Sequence, residues 1–374
     1  MKRTIFFLLV TIALWACREK YVAAAGSSGK GLLVVEGNIN IGNQATTTIM
    51  LSRVTALNET AKTVETGANV VVQAESGAVF NLSETVQGTY VSAPLNLSAG
   101  AKYRVQITLS TGKQYVSDYT TGIVSPPVDS ISWRKNSVGG IQLFINGKLA
   151  SNQSKYYQWR TEETWQFHSQ YVTKYKWIYN VRNEISGIAT LGGPDTSLFN
   201  CWKTVNSSTL LLANLDKYSG DTVHEQVAYI APNSIQLTIL YSINVIQTAL
   251  TQDAYLFFDN MKKNTQQLGT VFDPQPSYVP GNIHAVGNPS EQVIGYISAT
   301  QESSKRIFLR PTDVGGWPYT SSCEEVKVPN AIKELANTVG VLPILVLPDS
   351  ITLVKDTCVD CRLLGVKTKP SFWP

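Results

Sequence analysis

Two closely spaced cysteines near the C-terminus are the residues best suited to chemistry in this sequence. Cys358 and Cys361 form a C-V-D-C motif, a spacing found in redox pairs, in half of a zinc site and in disulfide frameworks. A zinc site would need a second tight pair, whereas Cys201 and Cys323 are far apart. A thioredoxin-type redox pair would start a helix beside a βαβ unit, which the sequence does not indicate. Structural disulfides are therefore favoured, with redox and metal chemistry as alternatives.

The disulfide interpretation also limits the pairing. A bond between Cys358 and Cys361 would close a small, strained loop, so we expect each of them to reach a distant partner. We predict that Cys323 bonds to Cys358 or Cys361 and that Cys201 takes the remaining one. Either pairing would tie the C-terminal part of the chain to the preceding domain.

A second candidate is a carboxylate between two indoles. In a strand over residues 156–167, Trp159, Glu163 and Trp165 share one face because side chains alternate along a strand. This group could hold a sugar or a cationic ligand. The favoured alternative is an aromatic core stripe in which Glu163 pairs with an arginine. The adjacent Glu162 points to the opposite face, so the two carboxylates cannot flank one glycosidic bond.

The sequence lacks recognisable catalytic and metal-binding motifs. The three histidines, His168, His224 and His284, form no H-E-x-x-H or H-x-x-x-H arrangement. No G-x-S-x-G nucleophile elbow and no glycine-rich phosphate loop occurs. We therefore expect no catalytic residue, no metal site and no cofactor.

The N-terminus has the features of a bacterial export signal. Lys2 and Arg3 precede an apolar run over residues 5–14, which is shorter than the roughly 20 residues of a membrane-spanning helix. Residues 14–17, L-W-A-C, resemble a lipobox, which implies cleavage before Cys17 and acylation of its thiol. Two or three acyl chains provide stable membrane anchoring. The alternative is an ordinary secretory signal with a chance cysteine.

The composition is that of a globular, exported protein. Of 374 residues, 43% are hydrophobic and 16% are charged, and no later apolar run is long enough to cross a membrane. The net charge of +4 is mild and the lysines and arginines are dispersed, which argues against nucleic-acid binding. After Cys17 an even number of cysteines remains, as in many disulfide-bonded exported chains.

Strand patterns dominate on both sides of a boundary at Ser125-Pro126-Pro127. Residues 18–29 are small and polar, which indicates a flexible tether. Residues 30–125 contain short strands separated by glycine and serine turns, typical of a small antiparallel, immunoglobulin-like β-sandwich. Residues 126–374 predict a larger β-rich domain with one main helix near 251–267, for which Thr251 is a plausible N-cap. The predicted fold class is therefore mainly β.

Two patterns locate strands within the larger domain. Residues 235–248 predict a buried strand, with Asn244 and Gln247 on its wet side. Residues 293–299 and 306–309 predict a hairpin-like pair. Proline, glycine and asparagine are frequent between the helix and this pair, which indicates a loop.

Several longer motifs occur in a characteristic order. The first series is LLVVEGNI, GANVVV, QGTY, AKYRVQI and SPPVDSI. The second series is LTILYSINVIQTALTQDAYLFFDNMKKNT, FDPQPSYVPGNI, QVIGYISA and KRIF, followed by the ending CVDCRLLGVKTKPSFWP. Together these motifs resemble a family of bacterial lipoproteins known as domain of unknown function 4249. The resemblance covers nearly the whole mature chain.

The family resemblance implies an outer-membrane lipoprotein of Gram-negative bacteria, anchored through Cys17 and often produced with a TonB-dependent receptor. It also implies that the first domain is similar to the prealbumin-like sandwiches attached to such receptors. We expect a non-enzymatic accessory or ligand-binding protein of an uptake system, with its small ligand and its face of the membrane left open. The alternatives are a glycan-acting enzyme whose site the sequence hides and a purely structural or adhesion protein of the envelope.

Overall fold

The computed structural model describes residues 31–55, 63–148, 154–217, 222–266, 279–331, 335 and 339–374. The predicted signal peptide, Cys17 and the tether lie outside these ranges. The first twelve strands are β1 (Leu33–Asn40), β2 (Asn43–Ala45), β3 (Thr48–Arg53), β4 (Thr63–Val64), β5 (Asn69–Ala74), β6 (Val79–Val86), β7 (Thr89–Ser92), β8 (Leu95–Asn96), β9 (Lys102–Thr108), β10 (Gln114–Ser117), β11 (Thr120–Thr121) and β12 (Ile123–Val124).

The later elements include the main helix. They are β13 (Ser130–Lys135), β14 (Ile141–Lys148), β15 (Tyr156–His168), β16 (Tyr175–Tyr179), β17 (Ile185–Thr190), β18 (Asn200–Asn206), β19 (Leu211–Asn214), β20 (Thr222–Ile230), β21 (Leu240–Leu250), α1 (Gln252–Gln266), β22 (Ile283–Ala285), β23 (Val293–Ile294), β24 (Ser298–Gln301), β25 (Ser303–Leu309), β26 (Val326–Pro329), β27 (Val341–Val346) and β28 (Ser350–Lys355). Short 3-10 turns occur at Thr196–Leu198, Leu215–Lys217, Ile235–Leu237, Asp356–Cys358 and Cys361–Leu363. The fold class is mainly β, as predicted.

The first sandwich is a 13-stranded sheet that surrounds a single core. Its main path has the order β12-β24-β1-β3-β7-β6-β5-β9-β10-β22. Burial alternates along its strands: in β9, Tyr103, Val105 and Ile107 are buried and their neighbours are not. Ile39 of β1 and Ile107 of β9 belong to the same hydrophobic cluster although their strands are far apart in the sheet. The sheet therefore curls so that distant strands face each other across the core.

Three strands of this sheet come from residues 279–301, which we call the return segment. β23 and β24 pair in parallel with β1, β24 also pairs in parallel with β12, and β22 pairs antiparallel with β10. The predicted division into 30–125 and 126–374 therefore places the return segment in the wrong unit. The predicted hairpin of 293–299 with 306–309 is also wrong, because β24 and β25 belong to different sheets.

Close backbone contacts hold the return segment on β1. Gly295 has a φ of +144°, and a Cβ atom there would overlap the carbonyl oxygen of Val35. A Cβ atom at Gly281 would likewise overlap the carbonyl oxygen of Gly295. The buried side chain of Asn282 donates to the carbonyl oxygen of Ile297 at 2.9 Å and accepts from its N–H at 2.8 Å. These small or polar residues allow the return segment to join the sheet beside strands that are distant from it in sequence.

The second sandwich consists of a three-stranded sheet, β13-β14-β20, and a five-stranded sheet, β18-β15-β21-β25, in which β19 also pairs with β15. Ile141 and Leu143 from the first sheet and Trp159 and Tyr241 from the second share one core. β21 begins later than residue 235 because a 3-10 turn precedes it. Gln247 is buried rather than wet and accepts a hydrogen bond from the Trp159 indole at 2.9 Å. The sequence placed Gln247 on the wrong face.

The helix α1 covers one end of the second sandwich, near the first. Thr251 acts as its N-cap, since the Thr251 hydroxyl accepts from the Ala254 N–H at 3.2 Å. Ala254 and Tyr255 pack against Leu250, and Tyr296 of the return segment joins this cluster. No helix in the described ranges has both the length and the apolarity needed to cross a membrane.

The C-terminal region forms a third, smaller cluster and then a tail. The β26-β28-β27 sheet and the β16–β17 hairpin share a core that includes Trp177 and Ile351. Residues 356–374, which we call the tail, then reach the second sandwich. Trp373 packs with Trp202 and Leu240 there.

Candidate functional site

A cavity of about 480 Å³, which we call the junction cleft, lies where the two sandwiches meet. Its walls come from the outer faces of β1 and β3, from β15 and β21, from α1 and from the return segment. Beside the cleft the chain passes between the two sandwiches twice, near Ser125 and near Gln301. The Ser125 N–H donates to the Gln301 carbonyl oxygen at 2.9 Å. The Ser125 hydroxyl in turn accepts from the Ala249 N–H at 2.9 Å. The cleft is therefore built on paired strands rather than on loops alone.

Strand alternation gives the first wall its polar character. Along β1, Val35 and Ile39 enter the core, so Glu36 and Asn38 face the cleft. The register of β24 places Ser298 beside Asn38 and aligns Thr300 on the same face. The Thr300 hydroxyl donates to Asn38 Oδ1 at 2.8 Å. The outer face of this sheet thus presents amide, hydroxyl and carboxylate groups.

The opposite wall has a charged pair. Arg160 Nη2 donates to Glu302 Oε1 at 2.6 Å, and the Thr248 hydroxyl donates to the same oxygen at 3.1 Å. Half of the Arg160 side chain is exposed, at 50%. An ion pair this accessible contributes at most about 1 kcal/mol. Its guanidinium can therefore exchange water for ligand at little cost in stability.

Aromatic rings and one unsatisfied hydroxyl complete the lining. The rings of Phe258 and Tyr296 lie 6.4 Å apart between centroids. Burial raises the pKa of the Tyr296 hydroxyl, which keeps it neutral. Ser298 Oγ is buried and has no hydrogen-bond partner among the described residues. Buried polar groups are nearly always satisfied, and this hydroxyl is an exception among the residues of the lining.

The arrangement suits the binding of a polar molecule. Ring faces beside hydrogen-bonding side chains accommodate ligands with both apolar and hydroxylated surfaces. Arg160 and Thr248 both donate to Glu302, which fixes the position of its carboxylate in the lining. Across the described ranges, no group of three His, Cys, Asp or Glu side chains could hold a metal ion.

The three predicted ligand-binding residues do not act together. Trp159 is only 1% exposed and Trp165 is 7% exposed, so both indoles belong to the core and offer no ligand surface. That part of the expectation is corrected, because the face of β15 that carries them packs against the other sheet. Glu163 differs: it lies on the same face but lines a separate cavity of about 390 Å³.

The histidines are dispersed. His168 stacks on Phe199, with ring centroids 4.2 Å apart, and burial lowers its pKa. His224 Nδ1 lies 2.6 Å from Asn146 Oδ1, in a hydrogen bond at the surface. His284 lies 3.1 Å from an Asp118 carboxylate oxygen, also at the surface. No two of them share a site.

The structure contains two disulfides, Cys201–Cys361 and Cys323–Cys358. This pairing satisfies the expectation that Cys358 and Cys361 reach distant partners. Both bonds join the tail to earlier parts of the chain, so these cysteines are structural rather than ligand-binding.

Sequence reasoning missed most of the junction cleft. Alternation in the segment L-V-V-E-G-N-I-N could have placed Glu36 and Asn38 outward on β1. Nothing local indicates Ser298 or Glu302, because their positions depend on a strand pairing between residues more than 250 apart in sequence, as in Asn38 with Thr300.

Comparisons with known proteins give a family but no activity. Among solved structures, this chain is similar to a segment of two fibronectin type III domains from chicken tenascin, with 12% identity and a TM-score of 0.17. The alignment covers 57% of this chain and 88% of the tenascin segment. So low a TM-score supports no conclusion about fold or function. No curated protein matches. A family model described as "Domain of unknown function (DUF4249)" matches residues 18–306, and the chain therefore belongs to this family.

Proposed function

We propose that this protein is a non-enzymatic accessory lipoprotein of an outer-membrane uptake system and binds a small polar ligand in the junction cleft. The observation that carries the binding proposal is a cleft of about 480 Å³ whose lining includes a half-exposed guanidinium, that of Arg160. Cavities of this size are typical of small-molecule sites. The neighbouring Arg160, Asn38 and Tyr296 supply donors, acceptors and an aromatic face.

Saccharides are the first ligands to test. Calorimetric titration with a panel of neutral di- and trisaccharides should detect binding to the wild-type protein. Arg160→Ala should weaken that binding by about tenfold or more, since it removes a charged donor and a wall of the cleft. Arg134→Ala is the matched control, because Arg134 donates to Gln142 on an exposed face of the three-stranded sheet. Equal binding by both variants would place the ligand elsewhere.

The membrane anchor and the receptor are proposed from the signal sequence and the family. An acylated Cys17 would hold the protein in the same membrane as a TonB-dependent receptor, which raises the effective concentration of one for the other. A small, weak interface would then suffice. Either face of the membrane is compatible with this proposal.

Two cell-based experiments test the anchor and the receptor. Cys17→Ala should remove the protein from the outer-membrane fraction or trap the precursor, whereas the wild-type protein should fractionate with that membrane. Crosslinking in intact cells, followed by mass spectrometry, should recover a TonB-dependent receptor. Recovery of only peptidoglycan or unrelated envelope proteins would favour the structural or adhesion alternative. Protease treatment of intact cells identifies the exposed face.

One observation favours the enzyme as a second candidate. Two carboxylates, Glu36 and Glu302, line the same cleft, and paired carboxylates are the usual machinery of glycoside hydrolysis. Incubation of the pure protein with the saccharides that it binds, followed by chromatography of the products, tests this. Turnover that is lost in both Glu36→Gln and Glu302→Gln would establish hydrolysis and overturn the non-enzymatic proposal.

A further inference from the structure

A second cavity, which we call the Glu163 cavity, opens into the second sandwich. It has a volume of about 390 Å³, and its lining includes Thr161 and Glu163 of β15 together with Gln226 and Tyr229 of β20. β18 and β19 pair with successive parts of β15, and the loop between them forms the remaining wall. This opening exposes the inner face of a strand whose other inward side chains are buried.

Glu163 enters this cavity without a positive partner. Its Oε2 accepts a hydrogen bond at 2.7 Å from the hydroxyl of Tyr241, which is fully buried. Across the described residues, no lysine, arginine or histidine forms an ion pair with it. The expected arginine pairs instead with the neighbouring carboxylate, since Arg306 Nη2 contacts Glu162 Oε1 on the opposite face.

The contrast between these adjacent glutamates has an energetic consequence. A carboxylate removed from water costs free energy unless a positive charge compensates it. Burial raises the pKa of Glu163, and the hydrogen bond from Tyr241 opposes that shift only in part. Glutamine at this position would have the same shape without that cost. A residue that lowers the stability of its fold and faces a cavity is a candidate for a functional role.

We propose that the Glu163 cavity binds the cationic group of a small ligand, an alkylammonium or a guanidinium, with the Glu163 carboxylate as its counter-ion. The other lining groups suit such a ligand. Hydroxyl oxygens of Ser207, Ser208 and Thr209 can accept its N–H groups. Tyr229 of β20 also contributes to the lining.

The position of the Tyr229 ring depends on a glycine in the neighbouring strand. Any side chain at Gly140 would overlap that ring, so glycine leaves the space in which the ring lies. The Tyr229 hydroxyl also accepts from Asn136 Nδ2 at 3.3 Å. Gly140 and Asn136, both outside the cavity lining, therefore fix the position of the Tyr229 side chain. This site shares no lining residue with the junction cleft, so the two binding proposals can fail independently.

Matched probes of equal length test the proposal. Butylammonium, butylguanidinium, butanol and butyrate are titrated calorimetrically into the wild-type protein at millimolar concentrations. We expect binding of at least one of the two cations and binding at least about tenfold weaker for the alcohol and the acid, because only a cation compensates the carboxylate. Glu163→Gln should weaken cation binding by about tenfold or more, whereas Glu162→Gln, on the opposite face, should change it by less than about twofold.

Thermal unfolding of the ligand-free variants separates a binding role from a structural one. Glu163→Gln should unfold at a higher temperature than wild type near neutral pH while losing cation binding. A structural glutamate would instead lose stability on this substitution. The proposal is overturned by a folded wild-type protein that binds neither cation, or by a Glu163→Gln variant that binds them as strongly as wild type.

Discussion

Two stretches late in the chain join earlier parts of the fold, and they are held by different means. The return segment enters the first sandwich through strand pairing, close glycine contacts and the buried side chain of Asn282. The tail is fixed to the second sandwich by the Cys201–Cys361 bond. The backbones of Trp202 and Val366 also exchange two hydrogen bonds of 2.8 and 2.7 Å. The first attachment is distributed over many weak contacts and the second is concentrated in a covalent bond.

The difference has consequences for function. The return segment carries Tyr296 and Ser298 to the junction cleft, and Glu302 follows directly after it. The positions of these side chains therefore depend on the return segment, and the register of its strands fixes them. The tail contributes no residue to either of the two cavities described above. Its role is to stabilise the fold around the second sandwich, for which a cross-link suffices.

Removal of the Cys201–Cys361 bond should have the largest effect. The two cysteines are 160 residues apart, and a loop of that length corresponds to about 5 kcal/mol of stability in the chain-entropy description. We expect the double variant Cys201→Ala, Cys361→Ala to lose about 4–5 kcal/mol, measured by urea unfolding of the second sandwich. Alanine is chosen because both sulfur positions are buried.

The second disulfide provides the control for loop length. Cys323 and Cys358 are separated by 35 residues, so the double alanine variant should lose less, about 4 kcal/mol or below. A larger loss for this pair than for Cys201–Cys361 would show that packing around the sulfurs, rather than the constraint on the unfolded chain, holds the tail.

Gly295→Ala is the corresponding test for the return segment. Its φ of +144° disfavours any side chain, and the new Cβ would overlap the Val35 carbonyl oxygen. We expect a loss of about 3 kcal/mol and increased hydrogen exchange of the amides in β1 and β24. Gly100→Ala is the control: φ there is also positive, at +80°, but nothing lies within 4 Å of the added atom. Similar losses for both variants would mean that backbone conformation alone, and not the contact with β1, is responsible.

The sequence predicted local features of this fold and missed distant ones. Alternation of apolar residues was sufficient to predict β9, and Thr251 to predict the start of α1. The return segment was assigned to the wrong unit because β24 pairs with β1 across more than 250 residues, and no local pattern records that pairing. The buried Gln247 was misplaced because its partners, Pro126 and Trp159, are also distant in sequence, 121 and 88 residues away.

The candidate sites show the same limit. Glu163 was identified from the alternation of side chains along its strand. Alternation assigns a residue to one face of the strand, but it does not show whether that residue lies in the core or lines a cavity. The structure separates them: Trp159 is enclosed between the sheets, whereas Glu163 lies where the edge strands part. Its arginine was expected, and Arg306 pairs with Glu162 instead, a choice that depends on the register of β25 against β21.

Asn282→Ala should have a smaller effect on the return segment than Gly295→Ala. The substitution removes two hydrogen bonds to the backbone of Ile297 and leaves those buried groups unsatisfied. We expect a loss of about 2 kcal/mol in urea unfolding of the first sandwich, together with weaker ligand binding in the junction cleft. Asn288→Ala is the control, because the Asn288 side chain is exposed and bonds only within its own turn. Equal stability of the two variants would contradict the assigned role of Asn282.

The smallest expected effect is an acid-sensitive one at Glu291, which ties the return segment to β10. The Tyr115 hydroxyl donates to Glu291 Oε1 at 2.6 Å, and Lys113 Nζ lies 3.2 Å from the same carboxylate. The Tyr115 bond lowers the pKa of Glu291, and burial raises the pKa of Tyr115 to about 12. A lowered carboxyl pKa contributes stability above the ordinary pKa of glutamate, and this stability is lost as the pH falls through the pKa of the folded state.

Glu291→Gln should therefore cost less than about 1 kcal/mol near neutral pH and nothing in acid, measured by hydrogen exchange in β22. Glu75→Gln, in an exposed pair with Lys102, should leave β22 unchanged at every pH. A pH-independent loss for Glu291→Gln would mean that the carboxylate charge has no part in holding the return segment.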